Sequence, residues 1–410
     1  MGNVIMEYTP YIVSWNITKR CNLTCGHCYM DAGLPEEPEL PTNECMSLID
    51  SLAAMNKDMM LIITGGEPMI RTDIYELIGH AAAAGFITVL GTNGTLIDSE
   101  SVKRLKDAGL RGAGISIDSP GPSEHDSFRG SGGAWARSIA ALKLLRDVGI
   151  ETQLDVTVMD SNCADLERFI ELGVELGAKA VNFFFLVCTG RAMKTLISTA
   201  NYDSALKKIV DFSKSEKRLM ARARCAPHIY RIMHEGGAHI QPGSRGCLAG
   251  RSYMRVDPYG GVTACPYMPD TLGSVKSTPI AEIWNNSQKL ATLREGRYEG
   301  RCGHCEYTEV CGGCRARALA EKGGFMDEDP LCTYEPAHGA KTLVVDTGEI
   351  KSDLQWEDAA KERIKAVPAF VRKMVIGAIE KAAREKGATV ITTELLDEVK
   401  KRGPTGGHKR

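Results

Sequence analysis

Ten of the fourteen cysteines in this 410-residue chain fall into two groups, and that grouping limits what the chain can fold into. Cys21, Cys25 and Cys28 stand within eight positions, and Cys247, Cys265, Cys302, Cys305, Cys311, Cys314 and Cys332 share one later stretch. In a short secreted protein such density signals a disulfide framework. Here the chain is long, and Met1 to Tyr11 lacks the basic start and apolar run of an export signal. The expectation is a cytoplasmic protein whose cysteines ligate metal.

Composition narrows the class. Fifty basic residues against 52 acidic ones give a net charge of −2, which argues against a nucleic-acid binder held mainly by phosphate contacts. An apolar content of 43% suits a globular chain with a sizeable core rather than a disordered one. No segment reaches the ~18 consecutive apolar residues of a membrane helix, so no membrane span is expected. The length predicts two or three domains.

Residues 11–215 alternate strand-like and helix-like segments. Tyr11–Thr18, Met59–Thr64, Ile87–Gly91, Gly114–Asp118, Thr152–Val158 and Val181–Val187 are short and bounded by polar or glycine-containing stretches, and most are rich in β-branched or aromatic residues. Helical patterns lie between them at Ile74–Ala84, Ser99–Ala108, Ala134–Val148 and Cys163–Leu176. Such alternation predicts an α/β fold, a partial (β/α)6 barrel with its active residues at the C-terminal ends of the strands. Over 224–336 periodicity weakens and glycine, cysteine and short turns dominate; a region like this has little core of its own and relies on metal. Residues 337–351 read as a linker and 352–402 as a small α-helical domain. There Trp356, Ala359, Ala360, Arg363, Ile364 and Val367 step at helical spacing, a second helix runs over Phe370 to Lys386, and Gly387 stops it. The tail 403–410 reads as disordered.

Cys21-x3-Cys25-x2-Cys28 follows the first strand directly. Thiolates this close suit an iron–sulfur cluster, whose cubane form normally takes four. Three leave one iron open, where a small molecule can chelate, by the logic that keeps a position free at catalytic zinc. This pattern resembles the radical S-adenosylmethionine (SAM) superfamily, and further motifs follow in that family's order. Gly65-Gly66-Glu67-Pro68 after the second strand is similar to the segment that binds the methionine amino group. Thr92-Asn93-Gly94 ends the third strand, Ser116 and Asp118 end the fourth, Asn162 follows the fifth, and Tyr29 matches the aromatic residue beside the last cysteine. The resemblance implies a [4Fe-4S] cluster on Cys21, Cys25 and Cys28 with SAM at its open iron. Tyr29, Gly65, Gly66, Glu67, Pro68, Asn93, Ser116, Asp118 and Asn162 would bind SAM. A low-potential donor such as ferredoxin or flavodoxin would supply the electron. Reduction cleaves SAM to a 5′-deoxyadenosyl radical that abstracts a substrate hydrogen, while the protein holds the pieces and excludes solvent. A structural zinc site would explain neither the open position nor the Gly65–Pro68 motif.

The second group has Cys302-x2-Cys305-x5-Cys311-x2-Cys314, preceded by Cys247 and Cys265 and closed by Cys332. It resembles the SPASM auxiliary-cluster domain. That resemblance implies one [4Fe-4S] cluster on Cys302, Cys305, Cys311 and Cys332, and places Cys247, Cys265 and Cys314 at another, near the active site. The Cys311–Cys314 gap is one residue shorter than the commonest form, and the second site lacks an evident fourth cysteine. An open iron, a non-cysteine ligand, or a single auxiliary cluster are the three outcomes left open. A zinc-ribbon-like fold is the alternative, because CxxC spacing also suits zinc.

Three stretches bear on the substrate. Cys225-Ala-Pro-His228-Ile-Tyr230-Arg231, Gly246-Cys247-Leu-Ala-Gly250, and Arg301-Cys-Gly-His-Cys-Glu-Tyr with Val310-Cys-Gly-Gly-Cys-Arg-Ala-Arg317 are similar to the heme b synthases of the siroheme-dependent route. Related heme d1 enzymes share part of the pattern. The resemblance implies a tetrapyrrole substrate: iron-coproporphyrin III, two of whose propionates are oxidatively decarboxylated to vinyls. Residues 352–402 resemble a short module at the end of a light-independent protochlorophyllide reductase subunit, which also handles a tetrapyrrole. Propionates need cationic anchors, for which Arg191, Arg224, Arg231, Arg251 and Arg255 are candidates, with His228 as an iron ligand or carboxylate partner. Taken alone, His228 reads as a packed or surface histidine, and Cys225, like Cys45, Cys163 and Cys188, as core rather than ligand. The rival readings are a maturase of a ribosomally made peptide, another metallocofactor-modifying enzyme, and a non-catalytic electron carrier.

Overall fold

The computed structural model describes residues 8–192, 197–238, 240, 244–337, 339–345, 352–367 and 369–402. Seven strands run parallel in sequence order: β1 Ile12–Asn16, β2 Met60–Thr64, β3 Ile87–Thr92, β4 Gly112–Ser116, β5 Glu151–Val158, β6 Ala180–Phe185 and β7 Met220–Arg224. Helices return the chain between them: α1 Thr42–Met55, α2 Ile74–Ala83, α3 Ser99–Asp107, α4 Pro122–Arg129, α5 Ala134–Asp147, α6 Leu166–Leu176 and α7 Thr199–Ser215. Parallel strands need such crossovers, and a packed helix supplies each one here.

The side chains of the sheet alternate between two faces. Val13, Trp15, Leu61, Ile63, Leu90, Ala113, Ile115, Leu154, Val156, Val181 and Phe183 point outward and are buried against the helices in one core. Ser14, Thr64, Gly91, Gly114, Ser116, Gln153, Asp155, Asn182, Arg222 and Arg224 line an inner cavity. Ile12, Met60, Ile62, Val89 and Phe184 line it too, so the outer face is apolar and the inner one mixes apolar with small and polar residues. The inner face of this barrel is a container, not a core.

The sequence predicts six strands, and the sheet has ten. β7 reads Met-Ala-Arg-Ala-Arg and lacks the apolar run that marked the others. The cysteine-rich region adds the remaining three: β8 Tyr253–Val256 lies parallel to the free side of β1, followed by antiparallel β9 Gly261–Thr263 and β10 Gly273–Ser274. The order is β10-β9-β8-β1-β2-β3-β4-β5-β6-β7. That region therefore continues the same sheet.

Near the C-terminus, Gln355–Trp356 and Val390–Ile391 form a short parallel ladder among helices Asp358–Ala366, Ala369–Glu385 and Thr393–Arg402. Trp356, expected in a helix, is a buried strand residue, and the third helix was not expected. Gly387 follows the second helix with φ +67°, as a left-handed stop requires. Trp356, Ala360, Ile364, Ile379, Ala383, Ile391 and Leu396 form a second core that takes in Tyr11 and Ile12. Asp58, just before β2, accepts from Arg363 Nη2 at 2.9 Å and Lys400 Nζ at 2.8 Å. The helices thus dock at the N-terminal ends of β1 and β2. The expected disordered tail, and part of the expected linker, lie outside the described residues. Among the described residues no helix is long and apolar enough to cross a membrane.

Arg363 also donates to Asp397 at 2.8 Å, so Arg363→Ala removes the ion pair between the first and third helices and the first helix's link to Asp58, leaving that of Lys400. We expect the docking to weaken by about 1–3 kcal/mol. Amide hydrogen exchange over 355–402 should then quicken while β1–β6 stay protected. Unchanged exchange would mean that apolar packing alone holds the helices.

Candidate active site

A cavity of about 950 Å³ runs from the loop after β1, through the inside of the sheet, to the C-terminal helices. That is the upper end of the range for small-molecule sites. Cys21, Cys25 and Cys28 face its upper end.

The cysteine loop is held from three sides. Gly66 N donates to Thr18 O and Glu67 N to Arg20 O, both at 2.8 Å. A Cβ at Gly66 would lie 2.3 Å from Arg20 O and 2.7 Å from Lys19 O, so only glycine admits this approach. On the second side, Gly26 N donates to Phe128 O at 3.3 Å, and the His27 ring stacks on Phe128 at 4.5 Å. On the third, Arg191 donates from its backbone to Cys28 O at 3.1 Å and from Nε to Cys25 O at 2.9 Å, and its Nη1 reaches Asp31 at 2.7 Å.

The three thiols themselves suit cluster ligation. Leu23 N lies 3.4 Å from Cys21 Sγ, Ala32 N 3.2 Å from Cys28 Sγ, and Arg129 Nη1 3.6 Å from Cys25 Sγ. These donors stabilise the charge that thiolate ligands carry. Arg129 is buried, and Asp118 pairs with it at 2.5 Å, which holds the Asp118 carboxyl below its usual value despite burial.

Several residues expected at the cofactor act instead behind the wall. Glu67 is fully buried and accepts from Thr92 Oγ1 at 2.7 Å, Asn93 N at 2.9 Å and Met69 N at 3.1 Å. It fixes the turn after β3 to the Gly65–Pro68 segment. Neither it nor Pro68 lines the cavity. Asp118 reaches the site only through Arg129. Asn162 donates to Asp118 O and Thr157 O and accepts from Met159 N, so its amide is consumed as a brace. Tyr29, Gly65, Gly66, Asn93 and Ser116 do line the cavity.

The cavity wall carries charged side chains. Of the nine cationic ones, Arg129, Arg191, Arg245, Arg363 and Lys400 are ion-paired, with Asp118, Asp31, Glu309, Asp58 and Asp397 as their partners. Arg222 and Arg224 lie on the inner wall, near Asp155. Asn182 bridges two of these groups, donating to Asp155 Oδ1 at 2.8 Å and accepting from Arg224 Nε at 3.3 Å. Gly114 makes room for that carboxylate, since a Cβ there would lie 2.2 Å from Asp155 Oδ2. Burial pushes Asp155 up to about 6 against the pull of Asn182 and the two arginines. Burial, together with neighbouring Arg224, pulls Arg222 down to about 10. Sequence reasoning missed Arg222 and Asp155; the Ala-Arg alternation over 221–224 was the available signal. The cavity's far side is apolar, with Ile364, Val367, Ile379, Leu396 and Val399 of the C-terminal helices.

His228 and Arg231 are the clearest corrections, for they lie away from this cavity. With Cys302, Cys305, Cys311 and Cys332 they surround a small second one. His228 is buried and shares a 2.7 Å hydrogen bond with Tyr202, and burial pulls it down to about 4, so it stays neutral. Arg231 is spent on Glu235 at 2.9 Å and Asp203 at 3.5 Å. Arg251 binds Leu293 O and Arg255 binds Asn16, so neither serves as a substrate anchor. Cys247, Cys265 and Cys314, by contrast, face the main cavity. All fourteen cysteines are free. Among the described residues no three Cys, His, Asp or Glu converge tightly enough for a single metal ion; a cubane holds its thiolates at its corners, further apart.

A three-thiol loop above a parallel sheet with a hollow interior, continued by a cysteine-rich extension, is the architecture of a radical SAM enzyme with auxiliary clusters. Residues 15–173 match the radical SAM superfamily, 247–315 the SPASM iron-sulfur cluster-binding domain, and 356–400 the proto-chlorophyllide reductase 57 kD subunit. The AdoMet-dependent heme synthase of Nitratidesulfovibrio vulgaris is 40% identical over 344 residues, 80% of this chain and 93% of that one. The Fe-coproporphyrin III synthase of Methanosarcina barkeri is 32% identical over 78% of this chain and 87% of its own. Streptococcus suis SuiB, solved with S-adenosylmethionine, has the same fold at 17% identity, with a TM-score of 0.66 over 80% of this chain and 78% of its own. The chain belongs to the radical SAM enzymes with a SPASM domain, in the family that includes the AdoMet-dependent heme synthases. SAM and iron–sulfur clusters are its cofactors.

Two outcomes follow. Gly66→Ala forces the Gly65–Pro68 segment off the cysteine loop. Reconstituted protein should keep its far-UV circular dichroism but lose SAM binding at least tenfold; unaltered binding would show that the contact is dispensable. The second concerns Asp155, which ionises near ~3.9 when unfolded. Its folded value is higher, so its contribution to stability is full below the unfolded value and is lost as pH rises through about 6. Asp155→Asn cannot ionise and should gain on the wild type by up to about 3 kcal/mol between roughly pH 4 and pH 7. Melting temperatures at the two pH values measure this, and an equal shift at both contradicts it.

Proposed function

We propose that this enzyme oxidatively decarboxylates propionate side chains of a tetrapyrrole, with iron-coproporphyrin III as substrate. The observation that carries the reading is the cavity: about 950 Å³ in volume, apolar along the C-terminal helices, and with Arg222 and Arg224 on the inner wall where carboxylates would lie. The similarity to an AdoMet-dependent heme synthase over nearly that protein's whole length supports the same class of substrate. The heme-synthase-like stretches around Cys225 and Gly246 point the same way, since Cys225, Tyr230, Gly246 and Leu248 line that cavity.

When bound and reduced, the first cluster with SAM supplies a radical able to abstract hydrogen from a propionate β-carbon. This chain's residues do the rest. Cys21, Cys25 and Cys28 hold that cluster, while Tyr29, Gly65, Gly66, Asn93 and Ser116 form the pocket for SAM. Glu67, Asp118 and Asn162 keep the pocket's backbone in place. Arg222 and Arg224 anchor carboxylates from the inner wall of β7. Cys302, Cys305, Cys311 and Cys332 hold one auxiliary cluster, and Cys247, Cys265 and Cys314 belong to a second beside the cavity. A cluster held there would offer an acceptor for the electron left after carbon dioxide departs. A ferredoxin or flavodoxin supplies the reducing electron, in an anaerobic cytoplasm. A peptide maturase is the weaker reading, because Arg222 and Arg224 of the inner wall suit carboxylates better than a peptide backbone.

Anaerobic titration with iron-coproporphyrin III should give stoichiometric binding and a shifted iron absorption spectrum. Dithionite and SAM should then yield vinyl products. Arg222→Leu should raise the Kd about tenfold or more, as loss of a charged hydrogen bond does. Deoxyadenosine formed without any vinyl product would sink the reading.

A further inference from the structure

Cys225 stands outside the seven-cysteine stretch, yet the fold brings it to the cavity wall that Cys247, Cys265 and Cys314 also line. Cys225 directly follows β7, Cys314 opens the helix that carries Arg317, and Cys247 follows a glycine packed on Pro227.

The backbone is built around that meeting. Cys225 has φ +55°, a left-handed conformation shared among the described non-glycine residues only with Asp31. A side chain there is strained and persists only where its surroundings over-determine it. Arg317 provides the restraint: Nη2 and Nη1 donate to Cys225 O at 2.6 and 3.2 Å. Arg317 is fully buried and pairs with Asp329 at 3.3 Å, and Asp329 also accepts from Cys314 N at 2.7 Å. One buried ion pair therefore positions Cys225 and Cys314 together. Gly246 brings in Cys247: a Cβ there would lie 2.5 Å from Pro227 Cβ and 2.3 Å from Cys311 O.

We propose that Cys225 is the fourth thiolate ligand of the cavity-side auxiliary cluster, completing the set of Cys247, Cys265 and Cys314. The inference rests on the reading that two auxiliary clusters are built, and it holds whatever the substrate. Ligation exchanges a proton for iron: the Sγ–H bond breaks, the proton passes to solvent and an Fe–S bond forms, with no change of oxidation state. It leaves the Cys21–Cys28 cluster with the chain's one open iron. The cavity-side cluster then carries electrons and does not chelate substrate.

The test starts from the full chain carrying Cys21→Ala, Cys25→Ala and Cys28→Ala, reconstituted with iron and sulfide. It should hold about eight irons, and after reduction with dithionite its electron paramagnetic resonance spectrum should ignore cyanide, a ligand for open irons. Adding Cys225→Ala should either drop the content to about four irons or make the remaining spectrum respond to cyanide. Cys225→Ser, which offers an oxygen ligand, should keep the iron with shifted g-values; it carries the test if the alanine variant does not fold. A cyanide response with Cys225 intact overturns the proposal. So does a Cys225→Ala chain with unchanged iron and no cyanide response. About four irons with Cys225 intact removes the second auxiliary cluster itself, a different failure from a cluster that is present but indifferent to Cys225.

Discussion

The arrangement depends on a backbone-to-backbone contact between two loops at the top of the sheet. Gly66 and Glu67 donate their amides to Thr18 and Arg20, so the segment after β2 and the loop after β1 become one surface. Neither loop has a core of its own. Each takes its shape from the other and from the sheet that launches both. Glycine at 66 allows the approach, and the buried Glu67 carboxylate carries the restraint across to β3 through Thr92 and Asn93. Burial pushes that carboxyl up, and three donors pull it back. Its value to the site is in holding backbones at fixed separations, which no contact with a cofactor would do.

Below that contact, strand periodicity separates stability from chemistry. The outward set of side chains is apolar and supplies the core. The inward set mixes polar with apolar residues and lines the cavity. This division explains why the interior can carry Arg222, Arg224 and Asp155 at all. Their desolvation is a cost, met by the outer core and by the Asn182 bridge. It also means that inner-face substitutions should act through ligand binding and the pH dependence of stability, and changes at Trp15 or Phe183 through lost core packing.

Much of this was legible in the sequence because the signals were local. Six strands declared themselves by β-branched runs between glycines, and the first cysteine group by its spacing. What was not legible depended on long-range geometry. β7 carries arginines where strands usually carry valines, because it is an edge strand facing the cavity. His228 and Arg231 sit beside Cys225 in sequence, yet the short helix Ile229–Glu235 turns them toward Tyr202, Asp203 and Glu235. Cys225 read as core because its partners are Cys247, Cys265 and Cys314, and spacing says nothing about a strand end meeting a loop a score of residues on.

The buried Arg317–Asp329 pair shows how the two auxiliary regions are joined. Asp329 receives Cys314 N and Leu331 N, and His228 Nε2 lies 3.9 Å away; Arg317 holds Cys225 O. The same carboxylate therefore touches the backbone beside thiols of both groups, Cys314 facing the main cavity and Cys332 the second. A buried pair of this kind is a poor source of net stability, because desolvation offsets the attraction. Its worth lies in fixed geometry. It sets the separation of the two groups of thiols without a flexible link. Removing one partner would leave the other charged and unpaired between them, so this node should tolerate substitution less than any surface ion pair of the chain.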